Sequence, residues 1–302
     1  MSITQANHFG PERRQRGMAL LVVLWACTLL AILLGGFATL ARTESIQTRY
    51  LSSRVQLRYL AEAGVMRALA ECASHNSGRW VGDGRPYTLH IDNHDVDIRI
   101  QDELGKVDLN AADPPSLQRL FVAAGESQAT AVQLAANILE SRAPSGVKSR
   151  VEQGADPGAA AGLSSGPRYR EFETPEQLQM VPGVTPALYR KVAAAITVWS
   201  GRPQPAPALA PPLALASLPD MDMTRAQRYV AQRVLASTRT RPPVLPNGQA
   251  PGAWRGGLVR TVVATAADRG GNKAQVSVTF RLTAEPGGTG YSVLRWQEDG
   301  EG

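Results

Sequence analysis

Residues 18–72 read MALLVVLWACTLLAILLGGFATLA followed by RTESIQTRYLSSRVQLRYLAEAGVMRALAEC, and the fold turns on how these two halves join. The first half, Met18 to Ala41, carries no charge over about 24 residues, against the roughly 20 that a helix needs to cross a bilayer. The second half, residues 42–72, contains no proline and a single glycine, Gly64. Its apolar residues Ile46, Leu51, Val55, Tyr59, Ala63, Met66 and Ala70 recur at helical spacing. Nothing interrupts the helix where the membrane ends. The sequence therefore predicts one helix of about 55 residues, half in lipid and half amphipathic in water, extending roughly 80 Å at 1.5 Å per residue.

Working outward toward the N-terminus, Arg13, Arg14 and Arg16 stand before the apolar run, with Gly17 at its boundary. A basic flank of this kind is kept in the cytoplasm. The expected location is a bacterial inner membrane crossed once, with a cytoplasmic N-terminus and a periplasmic C-terminal region. A cleaved secretory signal has an apolar core of about 7 to 15 residues and a small-x-small site. The run here is longer, and Arg42 follows it directly. An ordinary single-pass anchor explains the hydropathy and the charge but gives Gly17 no role. A long membrane-rooted stem explains the helix that continues past the bilayer.

Composition excludes several other classes. The net charge is +6, but the arginines beside the apolar run supply half of it, so the figure does not point to nucleic acid. Of the two cysteines, Cys27 lies within the apolar run and cannot meet Cys72 in a folded domain, so no intramolecular disulfide is expected. Nor do two such separated thiols form a zinc pattern.

Beyond the stem, His75 to Gly84 is rich in Gly, Asn and Ser and reads as a helix end and loop. Pro86–Ile91 and Val96–Gln101 alternate and are joined by Asp92-Asn93-His94-Asp95, a hairpin signature. Strand patterns return at Leu258–Ala264, Ala274–Leu282 and Tyr291–Trp296. Between them, Ser116–Ala124, Ser127–Glu140, Pro175–Met180 and Pro186–Trp199 carry helical periodicity. The predicted class is α+β: a long N-terminal helix on a small antiparallel sheet, with an all-α domain inserted between strands. The expected organisation assigns 1–17 to a leader, 18–41 to the membrane half of the stem and 42–74 to its periplasmic half. It continues with 75–104 as the first part of the sheet and 105–220 as the insertion. The last part, 221–302, is a helix and the C-terminal strands. Within the insertion, 143–168 is expected to be a disordered loop and the Pro/Ala-rich 203–219 an extended linker.

These elements together resemble the type II secretion pseudopilins, and more closely the general secretion pathway protein K family. The resemblance rests on the basic leader ending in Gly17, the apolar stem, and the passage Asp102-Glu103-Leu104-Gly105-Lys106-Val107-Asp108-Leu109-Asn110 from sheet into helices. A later segment, Phe172-Glu173-Thr174-Pro175-Glu176-Gln177-Leu178 through Val181-Pro182-Gly183-Val184-Thr185, resembles that family's second helical unit. The resemblance implies cleavage by a prepilin peptidase between Gly17 and Met18, with N-methylation of Met18. Major subunits of the family have Glu at the fifth mature position, here Val22. Its absence is a trait of the protein K family, which is placed at the pseudopilus tip. Implied partners are protein I-like and J-like minor pseudopilins, the pseudopilus, the inner-membrane secretion platform and the prepilin peptidase. Stem packing would use Ile46, Leu51, Val55 and Met66. The implied role is to initiate or cap the pseudopilus, with no enzymatic activity and no nucleic-acid partner. Calcium is the one cofactor the family suggests, yet residues 141–168 hold only Glu152 and Asp156 as carboxylates, where calcium takes several oxygen ligands.

Other motifs carry less. Gly162-Leu163-Ser164-Ser165-Gly166 fits a nucleophile elbow by pattern but lacks the flanking strand and helix that the elbow requires. His90, Asp92, His94 and Asp95 fall at a turn, where Asp and Asn are favoured for backbone reasons. The alternative function is a membrane-anchored helix-hairpin-helix DNA receptor of a competence system. Residues 102–140 hold about six acidic against two basic residues, which repels phosphate.

Overall fold

Alternation along β2 (His94–Asp102) organises the sheet. Val96, Ile98 and Ile100 point to one side and are buried, while Asp97 and Arg99 between them are exposed. The structure, a computed structural model, describes residues 16–74, 80–142, 171–237, 241–252, 256–285 and 288–299. The side chains at 16–17, 38–51, 284–285, 288–289 and 299 lie outside that description. The expected loop at 143–168 therefore falls outside the described residues.

β2 lies between β1 (Asp83–Ile91) and β5 (Val259–Ala267) in an antiparallel sheet of order β1-β2-β5-β6-β7, where β6 is Lys273–Glu285 and β7 is Gly288–Asp299. The register pairs Ile98 with Ala264, and Ala264 with Val276, so one continuous apolar face crosses the central strands. The β1–β2 hairpin closes through only Asp92 and Asn93, tighter than the four-residue turn expected, because Asp92 takes a positive φ of 50°. Pro86, which cannot donate to a ladder, falls on β1 at the sheet edge.

The helix α1 runs Arg16–Ala73. The chain divides into a unit of residues 1–56 and a unit of residues 57–302. In the second unit, Leu57, Ala61, Val65, Ala68 and Cys72 of α1 lie on one face and pack on the sheet with Val96, Ile98, Val262, Val278 and Phe280. Gly64 marks the closest approach, since a Cβ there would meet Val96 Cγ1 at 2.8 Å.

The chain leaves the sheet after β2 and returns at β5, and the residues between form a second core. Its elements are β3 (Val107–Asp108), α2 (Pro114–Ala123), α3 (Gln128–Arg142), a 3₁₀ turn Pro175–Met180, α4 (Pro186–Val192), β4 (Ile196–Thr197), α5 (Pro212–Leu215) and α6 (Met223–Leu235). Three of these helices begin with a side-chain cap. Asp113, Thr185 and Asp222 each accept from a backbone N–H three residues on, and Pro at the first turn follows in α2 and α4.

Three expectations are corrected. The helix expected over Pro186–Trp199 ends at Val192, because the β-branched Ile196 and Thr197 pair in parallel with Val107 and Asp108 of β3. Residues 203–219 are not a linker: Ala208, Leu209, Ala210, Ala214, Leu215 and Ala216 are buried, and α5 forms among them. Small apolar side chains between prolines fill a core as well as they extend a chain. Finally, α6 belongs with the helices, not the sheet; Ala226 and Tyr229 are buried in the helical core, which reaches Leu245.

Candidate assembly surfaces

In the first unit, Met18–Phe37 is long and apolar enough to cross a membrane, with a mean hydropathy of 2.6. Met18 and Val22 on it are exposed, as is Val55 near the unit's end. Arg13 and Arg14 lie outside the described residues. Arg16 and Gly17 are the first residues of α1, and the side chains of Arg16, Ile46 and Leu51 are not described.

Within the second unit, the apolar residues selected by periodicity face away from the sheet. Tyr59 is 65% exposed and Met66 47%, and Ala63 and Ala70 on the same face are also exposed. The stripe that packs on the sheet, at 57, 61, 65, 68 and 72, was missed. It is offset by two residues, about 200° around the helix, and so lies on the opposite side. Both stripes are apolar, and periodicity detects each without saying which one the sheet takes. Two ion pairs, each spanning one turn, border the uncovered stripe: Arg58 to Glu62 at 2.9 Å and Arg67 to Glu71 at 2.6 Å.

The sheet and the helical core meet across a seam of buried charge. Arg233 on α6 is fully buried and donates to the carbonyl oxygens of Pro207, Ala210 and Asp83 at 2.9–3.0 Å. Arg85 on β1 forks onto the Asp83 carboxylate at 2.9–3.2 Å and also donates to the Arg233 carbonyl. A second group lies at the end of β2. There the Asp102 carboxylate receives Arg260 at 3.3 Å and the Leu104 N–H at 3.0 Å. Burial raises the Asp102 pKa despite these partners. Burial also pushes the Tyr229 hydroxyl up to about 12. Next to Asp102, Glu103 Oε1 accepts from Lys106 Nζ and Thr261 Oγ1, each at 2.7 Å. On the sheet, Gln101 donates to the Leu209 carbonyl at 2.7 Å, and Arg295 pairs with Glu176 of the 3₁₀ turn.

Inside the helical core, Asp108 acts as a pin. Its Oδ1 accepts from the N–H groups of Asn110 and Ala111, and its Oδ2 from Ser200 and Gly201. The two helical hairpins turn through Gly125 (φ 100°) and Gly183 (φ 88°), conformations that favour glycine. Lys191 donates to the Ala124 carbonyl at 3.3 Å and ties the second hairpin to the first. At the β1–β2 turn, His90 Nδ1 and Asp95 Oδ1 lie 2.6 Å apart, both exposed. Among the described residues, no three His, Cys, Asp or Glu side chains converge on a common point.

No protein-family model matches this sequence, and no curated protein matches it. In three dimensions the chain is similar to a chain in the crystal structure of the GspK-GspI-GspJ complex from the type II secretion system of enterotoxigenic Escherichia coli. The TM-score is 0.53 at 14% identity, over 84% of this chain and 100% of that one. The arrangement here, an apolar N-terminal helix, an antiparallel sheet and further helices in an α+β fold, is consistent with a pseudopilin-type fold.

Proposed function

We propose that this chain is a minor pseudopilin of a type II secretion system, resembling protein K, that initiates or caps the pseudopilus at its tip. Its work is assembly, without catalytic turnover, in support of export of folded proteins across the outer membrane. The observation that carries the reading is the second apolar stripe of α1. One stripe is committed to the sheet, while Tyr59 and Met66 remain exposed between ion pairs. An uncovered apolar helix face rimmed by charges suits helix-to-helix association. Likeness of fold to a chain from a pseudopilin complex supports the same reading.

The tip position is supported by two further features. The helical core occupies the connection between β2 and β5, adding bulk on the head that would obstruct another layer stacked above. Val22 stands where a Glu would neutralise a neighbour's N-terminal amine; a carboxylate within the bilayer costs about 2.5–3.5 kcal/mol, which this chain avoids. Maturation would cut between Gly17 and Met18, in a membrane-anchored chain whose head is periplasmic.

Co-expression with I-like and J-like pseudopilins tests the role. The full chain is expected to co-purify with them in detergent, and Met66→Asp is expected to abolish that. Recovery of the chain without either subunit would refute the reading. Processing is tested separately: Gly17→Leu should block shortening in cells that carry the peptidase.

A further inference from the structure

The two edges of the five-stranded sheet are finished differently. At the β1 edge, Pro86 withholds a donor and the register slips between Asp83 and Pro86, two devices that discourage further pairing. At the β7 edge, residues 290–298 (GYSVLRWQE) contain neither proline nor lysine. Among the described residues, β7 pairs only with β6. In an antiparallel strand every second residue turns its N–H and C=O away from its partner. The outer side of β7 therefore holds a row of backbone donors and acceptors at the spacing of another extended chain. One extra residue, Leu294, divides that row into 290–293 and 295–298.

The side chains restrict which strand fits. Tyr291 pairs with Leu282, Val293 with Phe280 and Trp296 with Val278, so these three share the face on which α1 packs. They carry the apolar face of the sheet beyond its covered part and are 39–48% exposed. Trp296 Nε1 donates to Glu298 Oε1 at 3.0 Å, and the same oxygen receives Arg58 of α1 at 2.8 Å. Arg58 borders the outer stripe of α1, where Tyr59 and Met66 are exposed. The apolar row of β7 thus continues the surface assigned above to stem association, and a neighbour seated on that stripe reaches the open edge.

We propose that β7 takes up a strand from a neighbouring pseudopilin, which extends the sheet by one strand. Main-chain bonds along the outer side of β7 hold the incoming strand, and apolar side chains at its alternate positions lie beside Tyr291, Val293 and Trp296. This inference rests on the proposed pseudopilin role.

Amide hydrogen exchange on the full-length chain in detergent, with and without purified I-like and J-like subunits, tests it. Outward amides within 290–298 are expected to exchange at least tenfold more slowly in the complex, while those of β1 stay unchanged. Val293→Lys alters an exposed side chain at this edge and is expected to weaken binding at least tenfold at the wild-type melting temperature. Should that variant melt early, exchange in wild type decides alone. If wild type binds and the β7 amides exchange as in the free chain, the inference fails while the pseudopilin reading stands. Weaker binding by Val293→Lys without slowed exchange would mean that a helix or loop packs on the side chains, and would overturn the added strand. Slowed exchange in the chain alone at high concentration would assign the edge to a second copy instead. If wild type binds neither subunit, both readings fall.

Discussion

The two boundaries of the sheet are held by different chemistry. Toward α1, Leu57, Val65, Ile98, Val278 and Phe280 meet in an apolar core. Toward the helical core, Arg233 of α6 donates to the Asp83 carbonyl, and Arg85 joins the Asp83 carboxylate to the Arg233 carbonyl. Apolar burial is non-directional and scales with area. A guanidinium fork demands particular angles from each acceptor. The first boundary therefore supplies stability, whereas the second fixes how the helical core is oriented on the sheet.

Breaking the seam should give the largest effect. Arg233→Ala leaves the Asp83, Pro207 and Ala210 carbonyls without this donor, and removing one member of a buried charged network costs about 3–5 kcal/mol. Urea unfolding should then separate into two transitions, as helical core and sheet lose their common frame. A single unchanged transition would show that the seam adds little. Ile98→Ala tests the other boundary. Loss of a fully buried Ile side chain costs about 2–5 kcal/mol. Here one cooperative transition should persist at a lower midpoint with the same m-value.

Acidity sharpens the comparison further. Burial raises the folded-state pKa of Asp102, so stability from its neutral form is fully present below the unfolded value near 3.9 and is lost as pH rises through the folded value. Asp113, the cap of α2, behaves oppositely. Burial pushes it up, but bonds from Ser116 and Gln204 outweigh that and lower its pKa. Its contribution is present above about 3.9 and lost as pH falls through the folded value. The stability gap between wild type and Asp102→Asn should therefore narrow as pH rises from 3 to 7. Urea titrations across that range would measure it; a widening gap would mean that Arg260, not burial, governs Asp102.

Local patterns were legible where a single physical rule decided them. Alternation in Val96–Gln101 located β2, and helical periodicity over Ser116–Ala124 and Ser127–Glu140 located α2 and α3. The α+β class followed from these and the stem. The seam was not legible, because Asp83 and Arg233 are 150 residues apart in their bond and no local period links them. Pro203–Pro219 misled for a related reason, since proline content reports backbone stiffness and says nothing of where the intervening Ala and Leu side chains go. Of the candidate site, the sequence placed Met66 on an apolar stripe for stem packing, and the structure leaves Met66 exposed. Two apolar stripes on one helix cannot be ranked until the sheet that covers one of them is placed.

That ranking leads to the smallest expected effect on stability. Val65 and Met66 are chain neighbours on different faces of α1: Val65 is 1% exposed and Met66 47%. Val65→Ser would place a hydroxyl and a void against the sheet. Met66→Ser removes a side chain that packs on nothing in the chain's own core, so the change should stay within about 0.5 kcal/mol, as for ordinary surface positions. In assembly the order should reverse. If α1 presents its outer stripe to neighbouring stems, Met66→Ser should retain the melting temperature of wild type and lose pseudopilin binding. Equal binding by both proteins would mean that Met66 is ordinary exposed surface, and the division of α1 into an inner and an outer working face would be lost.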